Sequence, residues 1–306
     1  MFIEETMVEK LVEAGRIAIG AREHGASLVK PGASAREVCE EVEDWIRRKG
    51  GEPAFPCNFS VDEVAAHYTP GVKDDIRLRG DEVVKIDVGV HVEGYIADTA
   101  VTVDLSGKYN RLLEAASKAL EAVVEIMKPG IRIYDIGKTV ENTIKRYGYK
   151  PVRNLTGHTI GHYLIHAGTT IPNYADRTTF YKRLRPGTLV AVEPFATNGK
   201  GLVKEGKITN IYSLTGKRPR AKLNEAESTA LSIIVEKYKT LPFTPRWLIG
   251  ELGEDKAEAA VRGLYMKGVL HGYPILVESG KGRVSQFEHT FLILKDRVIV
   301  TTLKRD

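Results

Sequence analysis

The sequence predicts an α+β fold of two related halves, with a helical segment inserted into the second half. Three observations carry that expectation. A turn-and-helix stretch occurs twice, an apolar strand delivering an acid occurs twice, and the periodicity of the chain changes between 199 and 273.

The first repeat runs from Lys30-Pro31-Gly32 to Pro53 and returns from Lys128-Pro129-Gly130 to Pro151 at a constant offset of 98. Val42 matches Val140, Glu43 matches Glu141, Ile46 matches Ile144, Arg48 matches Arg146 and Gly50 matches Gly148. Pro-Gly, an amphipathic run and a closing glycine read as a turn followed by a helix. The second repeat sets Leu78-Arg79-Gly80, leading to Val83-Val84-Lys85-Ile86-Asp87, against Leu184-Arg185-Pro186, leading to Leu189-Val190-Ala191-Val192-Glu193, at an offset of 106. Each copy delivers a carboxylate from an apolar strand, so a site is expected on a pseudo-twofold axis between the halves.

The first half closes with a strand pair, Val83 to Val90 and Tyr95 to Val103, around a turn at Glu93-Gly94. The matching return strand of the second half, Val284 to Leu294, arrives only after the change in periodicity. Between them Leu231, Ile234, Val235 and Tyr238 keep helical spacing, as do Val261, Leu264 and Tyr265. The expected organisation is a main domain of 1–198 plus 274–306 and an inserted helical subdomain of 199–273. The basic stretch Lys217 to Lys222 reads first as a solvated surface loop and second as a contact for ribosomal RNA.

Composition bounds the function classes. Lys and Arg number 45 against 40 Asp and Glu, and a net charge of +5 is too mild to indicate a DNA-binding protein. The opening MFIEETMVEK lacks a signal-peptide pattern and no apolar run reaches membrane-spanning length, so a soluble, cytoplasmic chain is expected. Cys39 and Cys57 are too few for a disulfide framework or a thiolate metal site.

The chemistry rests on carboxylates. Asp87 lies within Val-Val-Lys-Ile-Asp-Val-Gly-Val, where an unpaired buried charge is heavily penalised. Asp98 is eleven positions on, and a Glu93-Gly94 turn puts it opposite Gly89 and diagonal to Asp87, on the same face. Two such charges require a shared proton or a metal. Glu193 and Glu288 are their repeat counterparts, and four negative charges balance two divalent cations, whereas an aspartic-protease arrangement needs only two acids. His158, His162 and His166 are spaced by four, but Thr159 follows His158 where H-E-x-x-H needs Glu, and Gly157 and Gly161 disfavour a helix. That stretch reads instead as an irregular strand or loop presenting one imidazole.

The ordered strings Ala65-Ala66-His67-Tyr68-Thr69-Pro70, Lys85-Ile86-Asp87-Val88-Gly89, Asp98-Thr99-Ala100, Gly157-His158-Thr159-Ile160-Gly161, Ile165-His166-Ala167-Gly168, Glu193-Pro194-Phe195 and Gln286-Phe287-Glu288-His289-Thr290 resemble the methionine aminopeptidases of peptidase family M24, in their type 2, archaeal-like branch. The resemblance spans nearly the whole chain. It implies the pita-bread (creatinase/aminopeptidase) fold, with an insertion similar to a winged-helix module. It implies removal of the N-terminal methionine from nascent proteins, preferentially before a small second residue, by water or hydroxide bridging two divalent ions of Co, Mn, Fe or Zn. On the same ground Asp87 would hold one metal, His158 and Glu193 the other, and Asp98 and Glu288 both. Glu193 would also relay a proton, with His67 and His166 as catalytic and substrate-contacting histidines. The methionine pocket would comprise Phe55, Leu155, Ile165, Phe195 and Tyr273, with His162 at its edge, a position where some relatives carry glutamine. The family default is a monomer with no membrane partner and at most transient ribosome contact. The alternatives are an Xaa-Pro dipeptidase, a class that usually carries a further N-terminal domain, and a non-catalytic RNA- or ribosome-binding protein on the same fold.

Overall fold

Both copies of the repeat fold as a helix pair laid on an antiparallel sheet. The computed structural model describes residues 5–74 and 76–304. In the first half α1 (Glu5–Leu28) and α2 (Ala35–Arg48) precede β1 (Glu52–Val61), the short β2 (Val64–Ala66), β3 (Val83–Val92) and β4 (Tyr95–Asp104). In the second, α3 (Asn110–Ile126) and α4 (Ile133–Arg146) precede β5 (Lys150–Pro151), β6 (Thr156–Ile160), β7 (Thr170–Pro172), β8 (Leu189–Val192) and β9 (Phe195–Thr197).

The repeated helices α2 and α4 match end to end at the offset of 98. Ser34 caps α2, its hydroxyl accepting from the Glu37 N–H at 3.2 Å. Gly50 and Gly148, at φ +86° and +85°, let the chain leave each helix in the left-handed region. The buried stripes Val38, Val42, Ile46 and Ile136, Val140, Ile144 face their own sheets, each within a separate apolar core. Truncating Ile46 or Ile144 to alanine would cost about 2–5 kcal/mol.

The insertion is β10 (Val203–Leu214), α5 (Glu225–Ile233) running into a wider π-type turn (Ile234–Tyr238), a tight turn at Pro245–Leu248, α6 (Ile249–Leu252), α7 (Glu254–Met266) and β11 (Leu270–Glu278). Its helices share a core of their own around Ile234, Phe243, Leu248 and Leu264. Two features differ from expectation. The segment is not purely helical, because β10 and β11 pair from Leu214↔Leu270 to Val203↔Glu278, and that ladder runs straight through the expected boundary at 273. Val235 and Tyr265 are 53% and 46% exposed, so they lie off the apolar faces assigned to them.

Both ends of the insertion meet at one side chain. Gly199-Lys200-Gly201 leads in and Gly280-Lys281-Gly282 leads out. The fully buried Glu278 carboxylate accepts the N–H groups of Lys200 and Gly201 on one oxygen and of Gly280 and Gly282 on the other. A Cβ on Gly199 would stand 2.2 Å from Glu278 Oε2, so the clip demands glycine there.

The chain then completes the second half with β12 (Val284–Gln286), β13 (His289–Ile293) and β14 (Val298–Val300). The single return strand expected from Val284 to Leu294 is therefore broken: β12 pairs with β9, β13 pairs with β8, and Phe287-Glu288 bridges the change. The sheet orders are β1-β3-β4 in the first half and β14-β13-β8-β6-β7 in the second, so β1, β3, β4 and β6, β8, β13 are equivalent triplets. Among the described residues no helix is long and apolar enough to cross a membrane, and Cys39 and Cys57 are buried free thiols.

Candidate active site

The two halves meet where β4 runs beside β12 and β13. Thr290 Oγ1 donates to the Asp98 carbonyl and accepts the Asp98 N–H, both at 2.8 Å. Glu288 N donates to the Ala100 carbonyl at 3.2 Å, and Thr99 Oγ1 donates to the Glu288 carbonyl at 2.8 Å. These bonds fix the acid of one half beside the acid of the other.

Within the first half, Asp98 stands opposite Gly89 and Asp87 opposite Ala100, the register expected of a Glu93-Gly94 turn. Gly89 leaves the space that the Phe55 ring fills, since a Cβ there would lie 2.2 Å from Phe55 Cε1. His158 sits on β6, whose partner residue on β8 is Ala191, two before Glu193. Pro194 follows Glu193 and cannot donate to a ladder, so the strand ends as the carboxylate is delivered.

The side chains converge on a cavity of about 350 Å³. Ligand atoms of Asp98, His158 and Glu288 lie within 4.8 Å of one another. His158 Nε2 is 3.6 Å from Asp98 Oδ2 and 3.6 Å from Glu193 Oε1. Gln286 Nε2 donates to Glu288 Oε2 at 3.2 Å and reaches Asp87 Oδ2 at 3.4 Å, joining the fifth group to the cluster. Asp98, His158 and Glu288 are 3%, 8% and 1% exposed.

Electrostatics here are severe. Burial pushes the Asp87 carboxyl up to about 7. Burial first, then the neighbouring acids, push Asp98, Glu193 and Glu288 well above the carboxylate range. Burial, with His166 alongside, holds His158 down to about 3, and burial with His166 holds His67 down to about 4. The imidazoles are therefore neutral at pH 7 and offer lone pairs, as metal ligation requires. Asp87 Oδ1, Asp98 Oδ1 and Glu288 Oε1 are buried without a hydrogen-bond partner. Buried carboxylate oxygens left unpaired need a cation, and an oxygen-rich set with one imidazole fits divalent metal.

The model of metallopeptidase family M24 matches residues 9–294. The chain belongs to metallopeptidase family M24. A methionine aminopeptidase of Methanocaldococcus jannaschii is 46% identical over 294 residues, covering 96% of this chain and 98% of that protein. Among solved structures, a thermophilic Arx1 aligns with a TM-score of 0.86 at 18% identity, over 100% of this chain and 93% of that one. A methionine aminopeptidase of Thermotoga maritima aligns at 0.70 and 22% identity over 99% of each chain. The structural likenesses fix the fold, which is the pita-bread arrangement.

The walls of the M24 cavity carry most of the residues singled out from the sequence. Asp87, Asp98, His158, Glu193 and Glu288 line it together with Phe55, His67, Leu155, Ile165, His166, Phe195 and Tyr273. The His166 ring stands edge-on to the His158 ring at 4.4 Å, and the His67 ring edge-on to Tyr273 at 5.8 Å. His162 is the exception. It is exposed and outside the cavity, its Nε2 on the Glu93 carbonyl at 2.8 Å and its ring against Tyr95 and Tyr163. The Gly161–Leu164 turn between β6 and Ile165 points it away from the ligand side.

Sequence reasoning missed Asn58, Ile211, Pro242 and Leu276, which also line the cavity. Ile211 and Leu276 come from β10 and β11 and Pro242 from the chain between them, so that segment supplies part of the apolar wall. Asn58 was detectable in principle, as a polar residue within the mainly apolar run Ala54 to Phe59, three positions beyond Phe55.

Proposed function

We propose that this metallopeptidase removes the initiator methionine from nascent proteins, preferentially when the second residue is small. One observation carries the reading: Asp98, Glu288 and His158 present ligand atoms within 4.8 Å of one another, with Glu193 3.6 Å from the imidazole and Asp87 on the same wall, in a largely apolar cavity large enough for a single flexible side chain. The relatives' name agrees with it.

In this reading Asp87 would hold one divalent ion, His158 and Glu193 a second, and Asp98 and Glu288 would serve both. Two cations there would supply Lewis acidity and lower the pKa of water. Mn, Fe, Co and Zn all suit the donor set. The chain's own groups do the rest. Glu193 accepts a proton from water at its carboxylate and passes it to the departing amine. His67, held neutral by burial, faces the Pro274 carbonyl through Nδ1 and so presents Nε2 to the scissile amide as an acceptor, while His166 donates a hydrogen bond to that amide as charge builds on it. Phe55, Leu155, Ile165, Phe195, Ile211 and Tyr273 surround the thioether and exclude water.

We further read 1–198 with 274–306 as the catalytic unit and the remainder as a winged-helix-like insertion. The same reading includes action as a monomer in the cytoplasm. The exposed loop Lys217 to Lys222 is the surface a transient ribosome contact would use.

The deciding experiment compares hydrolysis of Met-Ala and Xaa-Pro peptides with defined metal added to metal-free protein. Release of methionine, lost on chelation, is expected. Preference for Xaa-Pro peptides would overturn the specificity and favour a proline dipeptidase; salt-sensitive RNA binding without cleavage would overturn catalysis itself.

A further inference from the structure

Among the contacts between the insertion and the first half, one centres on a buried carboxylate. Glu43 of α2 is 1% exposed, and it accepts Cys57 N–H at 3.1 Å, Arg246 Nη1 and Nη2 at 2.9 Å each, and Trp247 Nε1 at 2.8 Å. Arg246 is itself 6% exposed. Cys57 lies between Phe55 and Asn58, in the stretch where β1 slips register against β3, and both neighbours line the cavity.

The same guanidinium faces the turn that follows β2. Arg246 Nε is 3.4 Å from the Pro70 carbonyl, and Nη2 is 3.5 Å from Thr69 Oγ1. Asn210 of β10 donates to the Thr69 carbonyl at 2.9 Å, and the Pro274 carbonyl of β11 lies 3.3 Å from His67 Nδ1. His67 has φ +65°, a left-handed conformation that a side chain of this size keeps only where its surroundings impose it. Arg246, Asn210 of β10 and Pro274 of β11 therefore surround the turn that carries an active-site imidazole.

A buried ion pair gives little net stability over apolar residues of equal volume, so stability alone does not account for Glu43 and Arg246. Their geometry does. We propose that Arg246 and Asn210 are positioning residues for His67, through which the insertion controls turnover without either side chain touching the reacting bond. The inference rests on reading the cavity as the peptidase site.

The test is a set of coupled substitutions in the full chain, assayed on a Met-Ala peptide at saturating Mn²⁺. Asn210→Ala, Arg246→Lys and the pair Glu43→Gln with Arg246→Met are made alone and together with His67→Ala. The pair leaves no unmatched buried charge. In the otherwise native chain kcat is expected to fall about 10- to 100-fold for the pair, less for Arg246→Lys, with KM within about threefold. Mn²⁺ affinity by calorimetry should stay within about threefold, because none of these residues meets the carboxylate cluster.

In the His67→Ala background the same changes should alter kcat by less than about twofold, since the group they position is gone. A merely structural role would give the same loss in both backgrounds, and that result, or undiminished kcat in the native background, overturns the proposal. Asn210→Ala removes one hydrogen bond from a half-buried side chain and decides the matter should the paired variant fail to fold. Failure of the peptidase reading appears separately, as absence of methionine release from the unmodified chain; the comparison then runs on whichever peptide that chain cleaves.

Discussion

Replacing Glu278 by glutamine tests how the insertion is attached. The carboxylate takes Lys200 N–H at 2.5 Å and Gly201 N–H at 3.0 Å on Oε1, and Gly280 N–H at 2.6 Å and Gly282 N–H at 3.0 Å on Oε2. An amide keeps one oxygen, so two of these bonds survive. The other two donors then face an NH₂ group. Losing two charge-assisted hydrogen bonds at about 1.5–3 kcal/mol each removes about 3–6 kcal/mol. With an unfolding entropy of about 2.1 cal/mol/K per residue over 306 residues, Tm should fall by about 5–9 °C. The assay is thermal unfolding at pH 7 and fixed metal, with amide exchange read at Gly201, Gly280 and Gly282. Burial raises the Glu278 pKa, but the four backbone N–H groups outweigh it and the net shift is downward. A depressed carboxyl contributes stability that is present above its unfolded pKa and lost as pH falls through the folded value. The gap between the two proteins should therefore be full at pH 7 and close below about pH 4. A Tm within about 1 °C of the unmodified protein at pH 7 would refute the reasoning.

Other expectations concern the site. His158→Ala and Glu193→Ala should abolish peptide hydrolysis in defined metal while leaving far-ultraviolet dichroism unchanged, because these groups place charge and do little packing; wild-type-like rates from either variant rule out the assignment. In metal-free protein the raised carboxyls of Asp87, Asp98, Glu193 and Glu288 act in the opposite sense to Glu278. Their stabilisation is complete below the unfolded values near about 4 and is lost as pH rises through about 7 and beyond, so Tm should drop between pH 5 and 8 and recover on adding Mn²⁺. A flat metal-free profile contradicts that. Gly89→Ala would drive a methyl into the Phe55 ring, costing about 1–3 kcal/mol and raising KM for methionyl peptides more than it lowers metal affinity. Unaltered KM would show that the ring is not part of the pocket.

The hairpin geometry was legible because strand period and a two-residue turn together determine which side chains share a face, and Asp87 and Asp98 obey that arithmetic. Glu193 and Glu288 followed from the duplication, since equivalent strands deliver equivalent acids. The insertion's strands were not legible. In β10 the run Lys204-Glu205-Gly206-Lys207 carries no apolar alternation, and in β11 Gly272 and Pro274 are residues that normally interrupt strands. Ile211 and Leu276 were missed with them, since a wall built by an unrecognised strand pair leaves no local signal. His162 was placed by analogy, and the turn that carries it outward has no signature in its spacing from His158. The paired Gly-Lys-Gly strings were visible, but their meaning depends on a carboxylate that only the fold brings between them.

The clip at Glu278 also bears on how the parent sheet forms. Arg283 N–H bonds Asn198 Oδ1 at 2.8 Å and Thr197 pairs with Val284, so residues far apart in number are neighbours across a tight bend. Once the clip is made, the pairing of β9 with β12 has the loop entropy of a local hairpin, not of a long excursion. A chain shortened by joining Asn198 to Arg283 through a two-residue turn should therefore still assemble its two lobes, and the same junction could accept a different module without disturbing the contact order of the host.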